Sequence, residues 1–319
     1  MAKIELPVAR DFGQLIGDPF LFFRQNFKLL GRAFLFFVVP MLLVATVFTA
    51  FGMKNVLGQV FSPSRYQGSS SGADPNTAWL GAGYLFFFLI AMFQQMFLSQ
   101  FMVLYHQNKE TTINETFGAL RTNWKNILVT FIIYVLMGAL LFAVTVGGVI
   151  LADEVGRSIA GFVVFILYMG FIYIAVPLSN LMMVRLREDL DIGAAISKCF
   201  QITLGKWWRS FGGFWAILGI YYSLILAAFI PFYAFVLFIY FNRLNYGNLP
   251  DPTFMTTAFS ILMTSLVFWS AFVGQLFYLY SGINYFSLSE AYDHYELRKQ
   301  IQNIGVAHQI HYDKQEGEY

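Results

Sequence analysis

An all-α integral membrane protein with six transmembrane helices is what this chain's pattern implies. The pattern has three parts: six apolar runs without one Asp, Glu, Lys or Arg, basic residues sorted between alternate connections, and an aromatic-basic segment that occurs three times. Apolar residues make up 58% of the 319 and charged residues 12%, about half the charge of an average soluble domain. A soluble chain of this length could not bury that much apolar surface. The 37 Phe and 18 Tyr suit rings that face lipid or sit at its two surfaces.

The recurring segment is read from spacing. Ile16, Phe20, Phe23 and Phe27 stand at the same offsets as Ile113, Phe117, Leu120 and Trp124, and as Ile196, Phe200, Thr203 and Trp207. Those offsets lie along one face of a helix. The likeness extends to polar positions, with Arg24-Gln25-Asn26-Phe27-Lys28 matching Arg121-Thr122-Asn123-Trp124-Lys125, while the third copy departs as Gly205-Lys206-Trp207-Trp208-Arg209. Each copy precedes a long charge-free run. The expectation is three units, each an amphipathic helix lying at the membrane surface followed by a spanning hairpin.

In chain order, Asp18-Pro19 is expected to open the first surface helix, Asp capping it and Pro taking the first helical position. Ile16 then falls just outside, and Arg24, Lys28 and Arg32 lie opposite the Phe face. The first span covers about 33–53 and should kink at Pro40. Residues 54–77, rich in Ser, Gly and Pro, predict an exposed loop. The second span covers about 79–105. Thr112 with Glu115 forms a capping-box pattern that opens the second surface helix.

The third and fourth spans, about 127–152 and 159–184, are separated only by DEVGRS and are expected to be antiparallel neighbours. Ala139, Ala143 and Gly147 form a small-residue stripe suited to close helix approach. Asp191 is expected to cap the third surface helix, whose apolar face is Ile192, Ile196, Phe200 and Trp207. The fifth span, 211–241, would reach roughly 46 Å as one helix against a hydrocarbon core of ~30 Å, so it must tilt, bend at Pro231 or extend beyond the bilayer. The sixth covers 254–288. The membrane domain is thus 1–289, and 290–319 is a polar tail, helical over 291–304 and irregular in its last dozen residues.

Charges orient the assembly. The N-terminal segment, the 106–126 and 185–210 connections and the tail hold 16 of the 20 Lys and Arg, leaving 4 for the opposite loops. The positive-inside rule then makes both termini and all three surface helices cytoplasmic. The N-terminus mixes Glu5, Asp11 and Asp18 with its basic residues and has no apolar run before position 33, which argues against a signal peptide. A net charge of +2 does not argue for nucleic acid. The single cysteine, Cys199, excludes an intrachain disulfide.

No catalytic or cofactor motif emerges. Gly81-Ala82-Gly83 lacks the third glycine and preceding strand of a dinucleotide loop. His308, His311 and Asp313, with Asp293-His294 before them, sit in a polar tail that reads as solvated instead of metal-binding. The spans carry only neutral polar groups: Gln94, Gln95, Ser99 and Gln100, then Ser179 and Asn180, then Gln275 and Asn284. Two readings stand, hydrogen bonds between helices or a polar cavity for a solute or lipid headgroup. Phe20, Arg24, Phe27, Lys28, Phe117, Arg121, Trp124, Lys125, Phe200, Lys206, Trp207 and Arg209 are the candidate surface contacts. They would either anchor the protein on anionic headgroups or dock a specific lipid or protein.

The stretches KETTINETFGALRTNWKNIL and REDLDIGAAISKCFQITLGKWWRSFGGFW each combine a short charged turn, an Ile-led amphipathic helix, an aromatic-basic end and a span. In this order of elements, over residues 12 to 290, the chain resembles the uncharacterised bacterial six-span proteins grouped with the membrane domain of glycerophosphoryl diester phosphodiesterases. The resemblance implies a fold and a bacterial cytoplasmic membrane location. It implies no activity, because the catalytic domain of that family is soluble and has no room here. The expected function is that of a non-enzymatic scaffold or accessory subunit without cofactors, organising lipid, a membrane-protein partner or further copies of itself. The alternative is a channel or facilitator for a small solute or lipid.

Overall fold

The computed structural model describes residues 3–61, 75–108, 111–246 and 252–316, with helix the only regular secondary structure among them. Six stretches are long and apolar enough to cross a bilayer, which fits a multipass membrane protein: Phe27–Phe51, Gly81–Gln107, Trp124–Ala152, Ser158–Glu188, Trp207–Asn242 and Thr257–His294.

α1 (Phe12–Gln25) begins earlier than the Asp18-Pro19 reading. Asp11 caps it in a reciprocal box with Gln14, the Gln14 N–H donating to Asp11 Oδ1 at 2.7 Å and the Asp11 N–H to Gln14 Oε1 at 3.2 Å. Asp18 is engaged by Arg10 instead, and Pro19 lies buried inside the helix. The buried face is Leu15, Pro19 and Phe22, one position round from the predicted one, so that Ile16, Phe20 and Phe23 flank it and Phe27 is exposed. α5 (Ile113–Thr122) buries Thr116, one position before the predicted Phe117, together with the predicted Leu120, and α9 (Ile192–Leu204) buries Ala195, Cys199 and Ile202, each one position before a predicted residue, together with the predicted Thr203.

α1 and α5 each stop at one residue and the chain restarts at once, at Asn26 (φ −106°, ψ 13°) before α2 (Phe27–Ala33) and at Asn123 (φ −92°, ψ 15°) before α6 (Trp124–Val155); α9 breaks over two, Gly205 (φ −67°, ψ −13°) and Lys206 (φ −137°, ψ 26°), before α10 (Trp207–Ala228). At all three the break residue's carbonyl accepts the first bond of the new helix, from Leu30 at 2.9 Å, Ile127 at 3.1 Å and Ser210 at 3.1 Å. The chain therefore turns without orphaning its backbone. Capping agrees with sequence at Thr112, which shares its box with Glu115; Asp191 occupies the cap position of α9, but its side chain makes no capping bond.

Prolines bend the long segments. A π-helical turn, Phe34–Val38, precedes Pro40 and leads into α3 (Val39–Phe61), which runs through Lys54 and Asn55 before residues 62–74, the part of the predicted loop outside the described residues. The segment 211–241 resolves as the bend at Pro231: α10 ends at Ala228 and α11 (Ile230–Tyr246) follows. α7 (Arg157–Leu178) ends beside Pro177 and α8 (Leu181–Glu188) continues it. Proline has no N–H, so Pro177 leaves the Tyr173 carbonyl without its helical donor, and the Trp207 indole N–H supplies one at 3.2 Å. α12 (Pro252–Glu316) is continuous, so the tail forms one helix through Glu316 instead of a short helix and an irregular end. No proline follows Pro252 to stop it.

α3 packs on α4 (Pro75–Asn108), α6 on α7 and α10 on α12, while α4 and α12 meet in the interior. Close approach falls at Gly83, where a Cβ would strike the Thr49 side chain, and at Gly148, where it would strike Val164. Of the predicted stripe, Ala139 and Ala143 are exposed and Gly147 has open space beside it, while the close approach falls at the next residue, Gly148. Regular spacing cannot say which side of a helix has a neighbour. α1 lies on α12, α5 on α4, and α9 on α7 and α8. One core cluster joins all three to Leu181–Leu186 and Leu279–Leu288.

Candidate functional site

Four of the eight polar side chains singled out in the long helices, those of Gln94, Gln95, Gln100 and Asn284, bond to neighbouring helices. Gln94 Nε2 donates to the Ala271 carbonyl at 3.2 Å, and Gln95 Nε2 to the Tyr134 hydroxyl at 3.3 Å, which passes its own proton to the Leu178 carbonyl at 3.2 Å. Gln100 Oε1 accepts from Asn123 at 3.2 Å, the Ser179 carbonyl accepts from Ser281 at 3.0 Å, and Asn284 Oδ1 accepts from Ser210 at 3.3 Å. Ser99 is buried. Gln275 Nε2 and both side-chain heteroatoms of Asn180 are buried without a partner.

Gln94 and Gln275 share only a void of about 10 Å³, the threshold for a single water. A larger cavity of about 600 Å³ lies among α3, α4, α10 and α12, and of the eight predicted polar candidates Gln94 alone reaches it. Its wall is otherwise mostly apolar, with Tyr221 and Ser270 hydroxyls bonded to each other at 2.5 Å.

Of the predicted surface contacts, Arg24, Lys28, Arg121, Lys125 and Lys206 are exposed, as are Phe27 and Trp124. Phe20, Phe117 and Phe200 are half-buried against the core, with Phe117 ringed by Phe37, Phe93 and Phe97. Trp207 serves the Tyr173 carbonyl. Arg209 turns inward, its Nη1 donating to the Arg10 carbonyl at 2.8 Å and its Nη2 to Ser287 at 3.2 Å. Desolvation and then the Arg209 charge lower the Lys206 pKa. Burial, and after it Glu188, pushes the Cys199 thiol up to about 12.

Sequence reasoning missed two buried cations. Arg10, 5% exposed, fastens residues 3–10 as a strap whose Leu6 is 1% exposed. Its guanidinium donates to Asp18 at 2.6 Å and to the carbonyls of Glu5 at 2.5 Å, Leu6 at 2.7 Å and Val8 at 3.2 Å, while its own N–H donates to Ser287 at 3.0 Å. Arg185, assigned by sequence to a polar connection, is 5% exposed and donates to Asn126 at 2.6 Å, and Asn126 donates to Asp189 at 2.6 Å. The guanidinium partners of Arg10 lie within eight residues but form no recurring motif, and the partner of Arg185, Asn126, is 59 residues away.

Among the described residues no three His, Cys, Asp or Glu side chains gather as a metal site would require. Asp293 and His294 instead approach Lys198 at 3.9 Å and Glu290 at 2.9 Å. The side chains of His308, His311 and Asp313 lie outside the described residues. No family model, curated protein or solved structure matches this chain.

Proposed function

We infer that the protein is a non-enzymatic scaffold or accessory subunit of a bacterial cytoplasmic membrane, working through the face that carries α1, α5 and α9. In this reading the chain is three units of surface helix plus spanning hairpin, with both termini cytoplasmic. The repeated breaks at Asn26, Asn123 and Lys206 support the units, and the sorting of basic residues supports the orientation. The observation that carries the function is where the polar groups go. Inside the bundle the side chains of Gln94, Gln95, Gln100 and Asn284 bond to adjacent helices, whereas Lys28, Arg121 and Lys125 stand exposed beside the exposed rings of Phe27 and Trp124. Such a surface attracts anionic headgroups or an acidic partner.

Photo-crosslinkers at Phe27 and Trp124 in cells, read by mass spectrometry, test this. Recovery of one protein, or of further copies of this chain, from both positions is expected; recovery of bulk phospholipid alone would count against a docking role. The cavity of about 600 Å³ favours one second reading, a facilitator for a lipid-like molecule, because its volume lies in the range of ligand pockets and its wall is mostly apolar.

A further inference from the structure

We propose that the cavity of about 600 Å³ among α3, α4, α10 and α12 binds a neutral lipid that carries carbonyl oxygens on one long hydrocarbon tail, a prenylquinone. The inference deepens the second reading above, in which this cavity takes a lipid-like molecule, and rests on these helices crossing a bilayer. The cavity is elongated. Its wall runs from Phe214 to Phe229 on α10 and from Met263 to Tyr278 on α12, about 22 Å along each helix at 1.5 Å per residue, against a hydrocarbon core of ~30 Å. α3 and α4 pack on each other and on α12, and α10 packs on α12 as well, so α12 forms a floor between two walls.

Three hydroxyls interrupt the apolar wall, those of Tyr221, Ser270 and Tyr278. Tyr221 and Ser270 bond to each other at 2.5 Å and to nothing else among the described residues. That bond uses one proton, so whichever residue donates, the other's proton has no acceptor. Tyr278 makes no hydrogen bond among the described residues, interacts electrostatically with Tyr221 and, unlike the Tyr105 hydroxyl, is not sealed among its neighbours. Gln94, the other polar residue of the wall, is engaged through Nε2 with the Ala271 carbonyl. An unmatched donor in apolar surroundings is costly, and a bound acceptor removes that cost.

Charge and hydrogen bonding select the ligand class. Among the described residues no charged side chain lines the cavity, so an ionised ligand would enter it uncompensated and a neutral one is favoured. Two unmatched donors call for acceptors, and carbonyl oxygens accept without adding protons of their own. Depth selects the carrier. Tyr221 and Ser270 stand 14 and 13 residues inside Trp207–Asn242 and Thr257–His294, about 20 Å along each helix from the nearer end, whereas the ester carbonyls of a phospholipid stay at the boundary of the hydrocarbon core. A prenylquinone carries its carbonyls on a flat ring that enters the core and trails an apolar tail. Phe87, Phe214, Phe229 and Phe277 offer ring faces and edges to both.

The test uses the full chain in detergent, with native mass spectrometry during titration by the short-tailed quinone decylubiquinone, by decylbenzene or by phosphatidylglycerol. Decylubiquinone is expected to bind about tenfold or more tightly than decylbenzene, which has a ring and the same tail without carbonyls, since each hydrogen bond is worth about fivefold. Tyr278→Phe should weaken the quinone about fivefold, as should Tyr221→Phe combined with Ser270→Ala, and neither should change decylbenzene. Gly274→Leu should abolish binding by filling the cavity, because a Cβ there meets only the Tyr221 ring, at 4.0 Å. Gly219→Leu, outside the cavity wall and with open space beside it, should leave binding unchanged. Equal affinity for decylbenzene, or displacement by equimolar phosphatidylglycerol, would overturn the quinone as occupant while sparing the lipid-like reading. Binding of all three compounds untouched by Gly274→Leu would overturn both.

Discussion

Replacing Arg10 by Met should detach the N-terminal strap. The guanidinium is the hub of four hydrogen bonds, one to a carboxylate and three to backbone carbonyls, and its removal leaves Asp18 without its cation. Removing one partner of a buried ion pair costs about 3–5 kcal/mol. The Asp18 side chain is 23% exposed, so water screens part of its stranded charge and the lower end, about 3 kcal/mol, is expected. Asp18→Asn in the same chain should restore about 1 kcal/mol, because the stranded charge is gone while the carbonyl contacts stay lost. Unfolding against the mole fraction of dodecyl sulfate measures both, and hydrogen exchange at the amides of residues 4–10 reports the strap itself. A cost below about 1 kcal/mol, the worth of an ordinary exposed pair, or unchanged exchange in Arg10→Met would refute the reasoning.

Two further outcomes follow from the same contacts. Trp207→Phe should cost about 1 kcal/mol, since it strands the Tyr173 carbonyl, and Pro177→Ala, which restores the helical donor, should abolish that cost in a double-mutant cycle. Cys199, 0% exposed with its thiol pushed up to about 12, should resist maleimide at neutral pH in the folded protein and react once unfolded. With the folded pKa above the ordinary 9.0, the folded state holds the proton longer, so stability is unaffected below pH 9 and falls as pH climbs from there toward 12. Cys199→Ala should flatten that decline.

Much of the candidate surface was legible from chain order alone, as the exposed Lys28, Arg121 and Lys125 show. The inward turn of Arg209 was not, because its acceptors are 199 and 78 residues away. The polar residues within the long helices were visible as a group, but the sequence left open whether they faced one another or a cavity. The answers differ by residue: Gln95 meets Tyr134, Gln94 bonds the Ala271 carbonyl while bordering the larger cavity, and Gln275 and Asn180 keep buried atoms without a partner.

Six membrane-length segments, the Thr112 box and the bend at Pro231 follow from local chemistry. Transfer of an apolar run into lipid adds up over one window, and a cap or a missing N–H acts within one turn. Which flank of α1, α5 and α9 is buried, which glycine admits a neighbour, and that Arg185 lies inside depend on groups tens to hundreds of residues apart, while Arg10 combines guanidinium partners within eight residues with a backbone bond to the distant Ser287. Spacing along one helix marks a stripe; only the helix packed beside it decides whether that stripe or the next one faces inward.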